Sequence, residues 1–173
     1  KKVSTEAITV CGKYLRILSL KDDWTSHIMN STKGIADGRK FTAQFQVATG
    51  CIIFNDYCKD CGKMFNSVIH AFAECPFLLL LRKFVEWNLE GHINTAPNHI
   101  SAIILFGLPK NKLIPTKKAK AIRFGLLNSK AYIAKKLTLK EPTDGRELRG
   151  ILIAAASRYL AFELKIPKDD TLP

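Results

Sequence analysis

Apolar residues recur at steps of three and four along most of this 173-residue chain. This periodicity is typical of amphipathic helices and predicts a mainly α-helical protein. We expect two or three helices in an amino-terminal segment, residues 1–50. The last apolar face of this segment carries Phe41, Phe45 and Ala48, and it closes at Gly50.

Beyond residue 76 the pattern predicts a basic helical domain over 77–166, followed by a short tail at 167–173. Pro76 suits the first turn of a helix, where the missing N–H of proline costs nothing. The apolar stripe of that first helix comprises Leu79, Leu80, Phe84 and Trp87. The stripe indicates that one side of the helix is buried.

Three further helices are predicted from residues that favour helix starts. Asn98 and Thr116 are each placed to cap a helix, and the second of these helices is long and basic. The apolar face of the long helix comprises Ile122, Leu126, Ser129, Ile133 and Leu137. Asp144 and Glu147 resemble a capping box for a last helix that continues to Lys165.

One short segment carries the clearest candidate chemistry. Three cysteines and one histidine follow the spacing Cys-x2-Cys-x8-His-x4-Cys, and they are Cys58, Cys61, His70 and Cys75. A Cys-x2-Cys hook with a second ligand pair downstream is the donor set of a tetrahedral structural zinc site. We therefore predict a CCHC zinc knuckle over 51–76 that binds one structural Zn2+. Gly62 is expected to allow the tight turn of the hook.

The residues between the two ligand pairs are predicted to form a loop. Met64, Phe65, Val68 and Ile69 are expected to pack under the metal. The apolar stretch 51–54, which precedes the hook, fits a strand or a helix equally well.

Other interpretations of these cysteines stay open at this level. A Cys-x2-Cys pair also occurs in redox proteins, although those place it at a helix start after a strand. Cys51 is an alternative ligand to Cys58, and chance proximity of core residues is a third interpretation. Otherwise we interpret Cys11 and Cys51 as buried free thiols.

Positive charge is concentrated in one stretch of the chain. The net charge is +12, and residues 110–140 contain ten basic residues and no acidic one. The ten are Lys110, Lys112, Lys117, Lys118, Lys120, Arg123, Lys130, Lys135, Lys136 and Lys140. Such a localised excess is typical of a surface that binds the phosphates of RNA or DNA. A solvated helix face, or a surface that meets an anionic membrane, would accommodate the same charges.

The remaining features narrow the class of protein. No apolar run approaches the ~20 residues that cross a bilayer, and the amino end lacks the apolar core of a signal peptide. We therefore expect an intracellular protein, in the cytoplasm or the nucleus, with no membrane partner and no small-molecule substrate. Because we find no nucleophile elbow, phosphate-binding glycine loop or paired metal-binding carboxylates, we expect no catalysis by this chain. The first residue is not Met, so we expect a processed product or a piece of a longer protein.

The knuckle and the residues after it resemble the carboxyl-terminal region of non-LTR (LINE-type) retrotransposon reverse transcriptases. The family pattern is matched in order by Cys58, Cys61, His70, Cys75, Pro76 and Trp87. The helical blocks 102–109, 125–136 and 157–165 are also similar, as is the lead-in at 41–50. The loop before the histidine lacks the acidic residues usual in that family, and the polymerase core is absent. Retroviral nucleocapsid knuckles match less well, because they place four residues between the second Cys and the His.

Two hypotheses for the function follow. The resemblance implies contact with template RNA and target DNA, with no chemistry by this part of the polypeptide. Under the first hypothesis the chain is a zinc-stabilised nucleic-acid-binding module, and its partners are RNA or DNA and the rest of a polymerase. Under the second it is a structural or assembly module with a zinc-stapled core that mediates contacts between proteins.

Overall fold

The computed structural model describes most of the chain beyond residue 56. The described parts are 57–64, 68–109, 112–159 and residue 166. The predicted amino-terminal helices, within 1–50, lie outside the described residues. The described part is 70% helical and contains no β-strand, which confirms the prediction of a mainly α-helical fold with a small Cys/His site.

Within the described residues, four α-helices of ten or more residues follow one another. They are α1 (Leu79–Leu89), α2 (Pro97–Phe106), α3 (Thr116–Leu139) and α4 (Gly145–Arg158). A π-helical turn, His70–Glu74, and a 3-10 turn, Pro76–Leu78, precede α1. Pro76 thus opens a 3-10 turn that leads into α1 instead of opening α1 itself. Among the helices described, none is both long and apolar enough to cross a membrane.

The starts of α2 and α3 differ from the predicted caps. Ala96 is the N-cap of α2, so Asn98 lies inside the helix. Pro115 is the N-cap of α3, so Thr116 is its first residue and caps nothing. A proline lies at or next to each start, and its fixed φ favours a helix start without a side-chain cap.

The start of α4 confirms Asp144 as a cap but not the predicted capping box with Glu147, because the Asp144 N–H donates to the Tyr132 hydroxyl at 2.8 Å. The Asp144 carboxylate accepts a hydrogen bond from the Arg146 N–H at 2.7 Å, which satisfies one of the free donors at the helix start. The helix is described as far as Arg158. The predicted continuation to Lys165 falls outside the described residues.

The helices pack around one buried cluster that includes the Cys/His segment. Helices α3 and α4 run antiparallel: Phe124 contacts Tyr159 at one end, and Tyr132 bonds to Asp144 at the other. Helix α1 packs against both. A Cβ atom on Gly125 of α3 would lie 3.3 Å from the Phe84 ring, so glycine permits the close approach of these helices. The predicted apolar face of α3 is buried at Ile122, Leu126, Ser129 and Ile133 and half-buried at Leu137.

Candidate metal centre and basic surfaces

The four predicted ligands converge on one point. The ligand atoms of Cys58, Cys61, His70 and Cys75 all lie within 4.8 Å of one another. The Sγ atoms of Cys58 and Cys75 are 3.9 Å apart, and Cys61 Sγ lies 3.3 Å from His70 Nε2. This cluster of three thiols and one imidazole can hold a metal ion.

A tight backbone turn places the first two ligands. The Cys58 N–H donates to the Lys63 carbonyl at 2.9 Å, and the Gly62 N–H donates to the Cys58 carbonyl at 2.8 Å. Gly62 has a φ of 71°, which glycine adopts without the steric cost that a Cβ atom brings. The role predicted for Gly62 in the turn is confirmed.

A π-helical turn places the other two ligands. The Cys75 N–H donates to the His70 carbonyl at 2.9 Å, and this bond spans five residues. The spacing His-x4-Cys therefore corresponds to one π turn, with a ligand at each end. Pro76 disfavours helical geometry in the residue before it, and Cys75 accordingly has a ψ of 132° that ends the turn.

The ligand cluster is mostly buried. The buried members are Cys58, His70 and Cys75, and Cys61 is half-buried. Val68 and Ile69 are buried in the same apolar cluster, as predicted. The prediction for Met64 is wrong, because its side chain is 60% exposed: it stands at the end of the hook, where no core surrounds it. Phe65 lies outside the described residues.

Burial sets the protonation of the ligands. It raises the pKa of the Cys58 and Cys75 thiols above the ordinary value. It lowers the pKa of the His70 imidazole, and the charge of nearby Lys63 acts in the same direction. Since thiols bind metals as thiolates, an entering ion must displace protons from both buried thiols, whereas the imidazole is already neutral.

Two polar contacts fix the cluster to the helices. Asp60 of the hook accepts a hydrogen bond through Oδ1 from the Thr143 N–H, between α3 and α4, at 2.6 Å. Arg82 of α1 donates to the Ala73 carbonyl in the π turn at 2.7 Å. Neither contact was predicted from the sequence. Asp60 and Thr143 are 83 residues apart, and no local pattern signals such a pair.

The ten predicted phosphate-binding residues do not form one surface. Exposed are Lys112, Lys117, Lys120, Lys135 and Lys140; half-buried are Lys118, Arg123 and Lys136; Lys130 is buried; and Lys110 lies outside the described residues. Lys117 and Lys135 share the exposed side of α3 but lie about 27 Å apart at 1.5 Å per residue. The basic residues therefore form two groups, one at each end of α3.

Lys130 belongs to the core. Its side chain is 2% exposed, and its Nζ donates to the Leu105 carbonyl at 3.0 Å. Leu105 lies in the last turn of α2, where carbonyls lack partners within the helix and a positive charge is favourable. The prediction that Lys130 contacts nucleic acid is wrong, because this side chain joins α3 to the end of α2. A signal was present, since Lys130 follows Leu126 by four residues and precedes Ile133 by three on the apolar face.

Two other predicted contacts are engaged within the protein. Lys136 Nζ lies 3.1 Å from the Glu141 carboxylate and 3.4 Å from that of Glu147. Arg123 donates to two carbonyls of the loop before α3, each at 3.4 Å. The basic group at the carboxyl end of α3 is thus partly neutralised by acidic residues that follow it.

Comparison with known proteins assigns no family to this arrangement. No protein-family model matches the chain, and no curated protein or solved structure matches it. The resemblance to the LINE-type reverse transcriptases therefore stays a prediction based on the ligand spacing and the Cys-Pro sequence.

Proposed function

We propose that the protein is a zinc-stabilised, non-catalytic nucleic-acid-binding module that holds phosphates at the amino-terminal end of α3. One observation carries the proposal. The basic end of α3, defined here as Lys112, Lys117, Lys118 and Lys120, combines four lysines with a helix start that contains no acidic residue. This is the electrostatic footprint of a phosphate-binding surface.

The basic end is unfavourable for the helix itself. The start of a helix carries a partial positive charge, which acidic residues normally offset. Helix α3 instead has three lysines within its first five residues, and no side chain caps its free N–H groups. A bound phosphate would accept hydrogen bonds from these N–H groups and lie among the ammonium groups. The arrangement thus supports an anionic ligand better than it supports an isolated helix.

The end of α4 extends this positive surface. Arg158 lies with its guanidinium carbon 4.9 Å from the centre of the Phe124 ring on α3. Tyr159 packs edge-on against the same ring, with centroids 5.8 Å apart. These contacts place one more cation on the side of the helix pair where α3 begins.

We assign zinc as the ion of the Cys/His cluster. Tetrahedral zinc with Zn–S bonds of about 2.3 Å places two sulfurs about 3.8 Å apart, and a sulfur and a nitrogen about 3.6 Å apart. The observed separations of 3.9 and 3.3 Å are close to these values. Four protein ligands leave no open position for substrate, so the ion is structural. Its binding supplies folding free energy on the order of 10 kcal/mol.

The ligand spacing and the Cys-Pro sequence extend the proposal to origin and location. The module is an accessory part of a LINE-type reverse transcriptase, or a relic of one. It acts on template RNA or target DNA in the cytoplasm or the nucleus. As such a part it positions nucleic acid and performs no chemistry.

The salt dependence of binding tests the proposed function. The logarithm of the affinity for a single-stranded or duplex probe should fall linearly with the logarithm of salt concentration. Four phosphate contacts predict a slope of about −3 for a single strand and about −3.6 for a duplex. Binding that is undetectable at low salt, or that does not respond to salt, would contradict the proposal and favour the assembly module.

Charge reversal tests where the surface lies. Lys117→Glu with Lys120→Glu should abolish binding while the fold stays intact, because glutamate near a helix start is favourable. The matched control, Lys135→Glu with Arg146→Glu, changes the net charge equally at the other end of the helix pair and should lose clearly less affinity. Equal losses in both variants would show that overall charge, not the basic end of α3, drives binding.

A further inference from the structure

The zinc hook exposes two large apolar side chains. Tyr57 is 51% exposed and Met64 is 60% exposed. An antiparallel bridge pairs these two residues, and residues opposite each other in such a pair have Cβ atoms about 5 Å apart on the same face. Tyr57 and Met64 therefore form one apolar patch, called the hook patch below.

The hook does not depend on this patch for its structure. Two backbone hydrogen bonds close the turn, and the ligands Cys58 and Cys61 approach the rest of the cluster. Side chains this exposed contribute little burial to the core. Tyrosine and methionine are both enriched in the surfaces through which proteins contact their partners.

The charges beside the hook patch indicate what the partner is. Lys59 and Lys63 are exposed on the same hook. The nearby carboxylate of Asp60 accepts the Thr143 N–H, so it is engaged toward the helices. The ligand that complements this surface has a flat apolar face to contact the aromatic ring and the thioether. It also carries negative charge to meet the two ammonium groups.

We propose that the hook patch stacks an unpaired nucleobase, with Lys59 and Lys63 holding the adjacent phosphates. The proposal deepens the function proposed above and rests on it. A base can reach Tyr57 only when it is not stacked in a duplex, so the hook patch favours single strands. Stacking on aromatic rings is tolerant of sequence because every base has such a face.

The experiment compares two labelled oligomers of twelve units by fluorescence anisotropy at low salt. One is oligothymidylate, and the other has the same backbone with a stable abasic residue at every position. The wild-type protein should bind oligothymidylate more tightly. Tyr57→Ala should weaken that binding by roughly 5- to 150-fold, the range that one base–aromatic stack supplies. It should leave the affinity for the abasic oligomer within about twofold.

Two controls accompany the test. Tyr57→Phe keeps the ring and should keep the affinity. Ile153→Ala removes an apolar side chain that is 37% exposed in the second half of α4, and should change neither affinity. Native mass spectrometry and circular dichroism establish that each variant retains its metal and its helices.

Three outcomes would overturn the inference. Equal wild-type affinity for both oligomers would show that no base stacks on the hook patch, although the proposed phosphate binding would still stand. Binding to neither oligomer would overturn the proposed function as well. An equal loss on both oligomers in Tyr57→Ala would show that Tyr57 acts through the fold.

Photo-crosslinking keeps the test valid if Tyr57→Ala does not fold. The wild-type protein is irradiated with an oligonucleotide that contains 5-iodouracil. Crosslinks should map by mass spectrometry to Tyr57 or Met64, and crosslinks confined to other residues would overturn the inference.

Discussion

Replacing Lys130 with alanine should destabilise the helical core without weakening nucleic-acid binding by the folded protein. Lys130 is 2% exposed and donates to the Leu105 carbonyl at 3.0 Å. Its side chain therefore contributes to the contact between α3 and α2. The basic end of α3 begins more than two helical turns away, so its phosphate contacts do not involve this residue.

The magnitude follows from what the substitution removes. A hydrogen bond from a charged group contributes roughly 1.5–3 kcal/mol. The three lost methylene groups contribute about 0.8 kcal/mol each when buried. Because an ammonium group no longer has to be buried, part of this loss is offset. We expect Lys130→Ala to lower the free energy of unfolding by roughly 3 kcal/mol, a large share of the ~5–15 kcal/mol typical of a domain.

Urea denaturation of the metal-loaded protein measures this change. Lys130→Met keeps most of the apolar stem and should lose about 1–2 kcal/mol, mainly the hydrogen bond. Lys135→Ala changes an exposed lysine of the same helix and should stay within about 0.5 kcal/mol of wild type. A structural role for Lys130 would be refuted if Lys130→Ala were as stable as Lys135→Ala, or if its folded form lost nucleic-acid affinity.

Three further predictions concern the metal centre and its attachment. Chelation of the metal should lower the melting temperature and the helical content, since Cys58 and Cys75 belong to the main core; an equally stable apo protein would contradict a structural role. Gly62→Ala should cost about 1 kcal/mol because of its φ of 71°, although nothing lies within 4 Å of the new Cβ. For Gly62→Ala, competition with a chromophoric chelator should show a metal affinity roughly fivefold lower than that of the wild type. An unchanged metal affinity would exclude backbone strain at this position. Asp60→Ala should increase hydrogen exchange at the Thr143 amide because the acceptor is lost. Asp60→Asn keeps an acceptor oxygen and should leave this amide protected. Equal exchange rates in the two variants would argue against the hydrogen bond.

The candidate metal centre was predictable because its determinants are local. Cys58, Cys61, His70 and Cys75 lie within one short segment, and the spacing of each pair corresponds to one backbone turn. Gly62 permits its own positive φ, and Pro76 restricts the dihedral angles of Cys75, the residue before it. Such effects are visible in sequence without knowledge of the tertiary structure.

The basic surface was less predictable because its geometry depends on distant partners. The sequence shows ten charges in one acid-free stretch, but it does not show that Lys130 meets Leu105, 25 residues away. Nor does it show that Glu141 and Glu147 fold back onto Lys136. Counting charges identified α3 as the basic helix, whereas the packing of that helix divided the exposed charges into two groups and buried Lys130.

The two proposed contact sites lie at opposite ends of α3. The bond between Asp60 and Thr143 places the hook beside the carboxyl end of the helix, whereas the basic end begins at Lys112. Helix α3 rises about 33 Å over the 22 steps from Lys117 to Leu139. This length corresponds to about ten nucleotides at the 3.4 Å rise of a strand that is stacked as in B-DNA. Affinity should therefore increase when a single strand is lengthened from six to about twelve nucleotides, and it should change little beyond that length. Tyr57→Ala should remove this increase, because the longer strand then gains no second site. If six nucleotides bind as tightly as twelve, one strand does not span both sites, and the hook and the basic end of α3 must engage separate ligands.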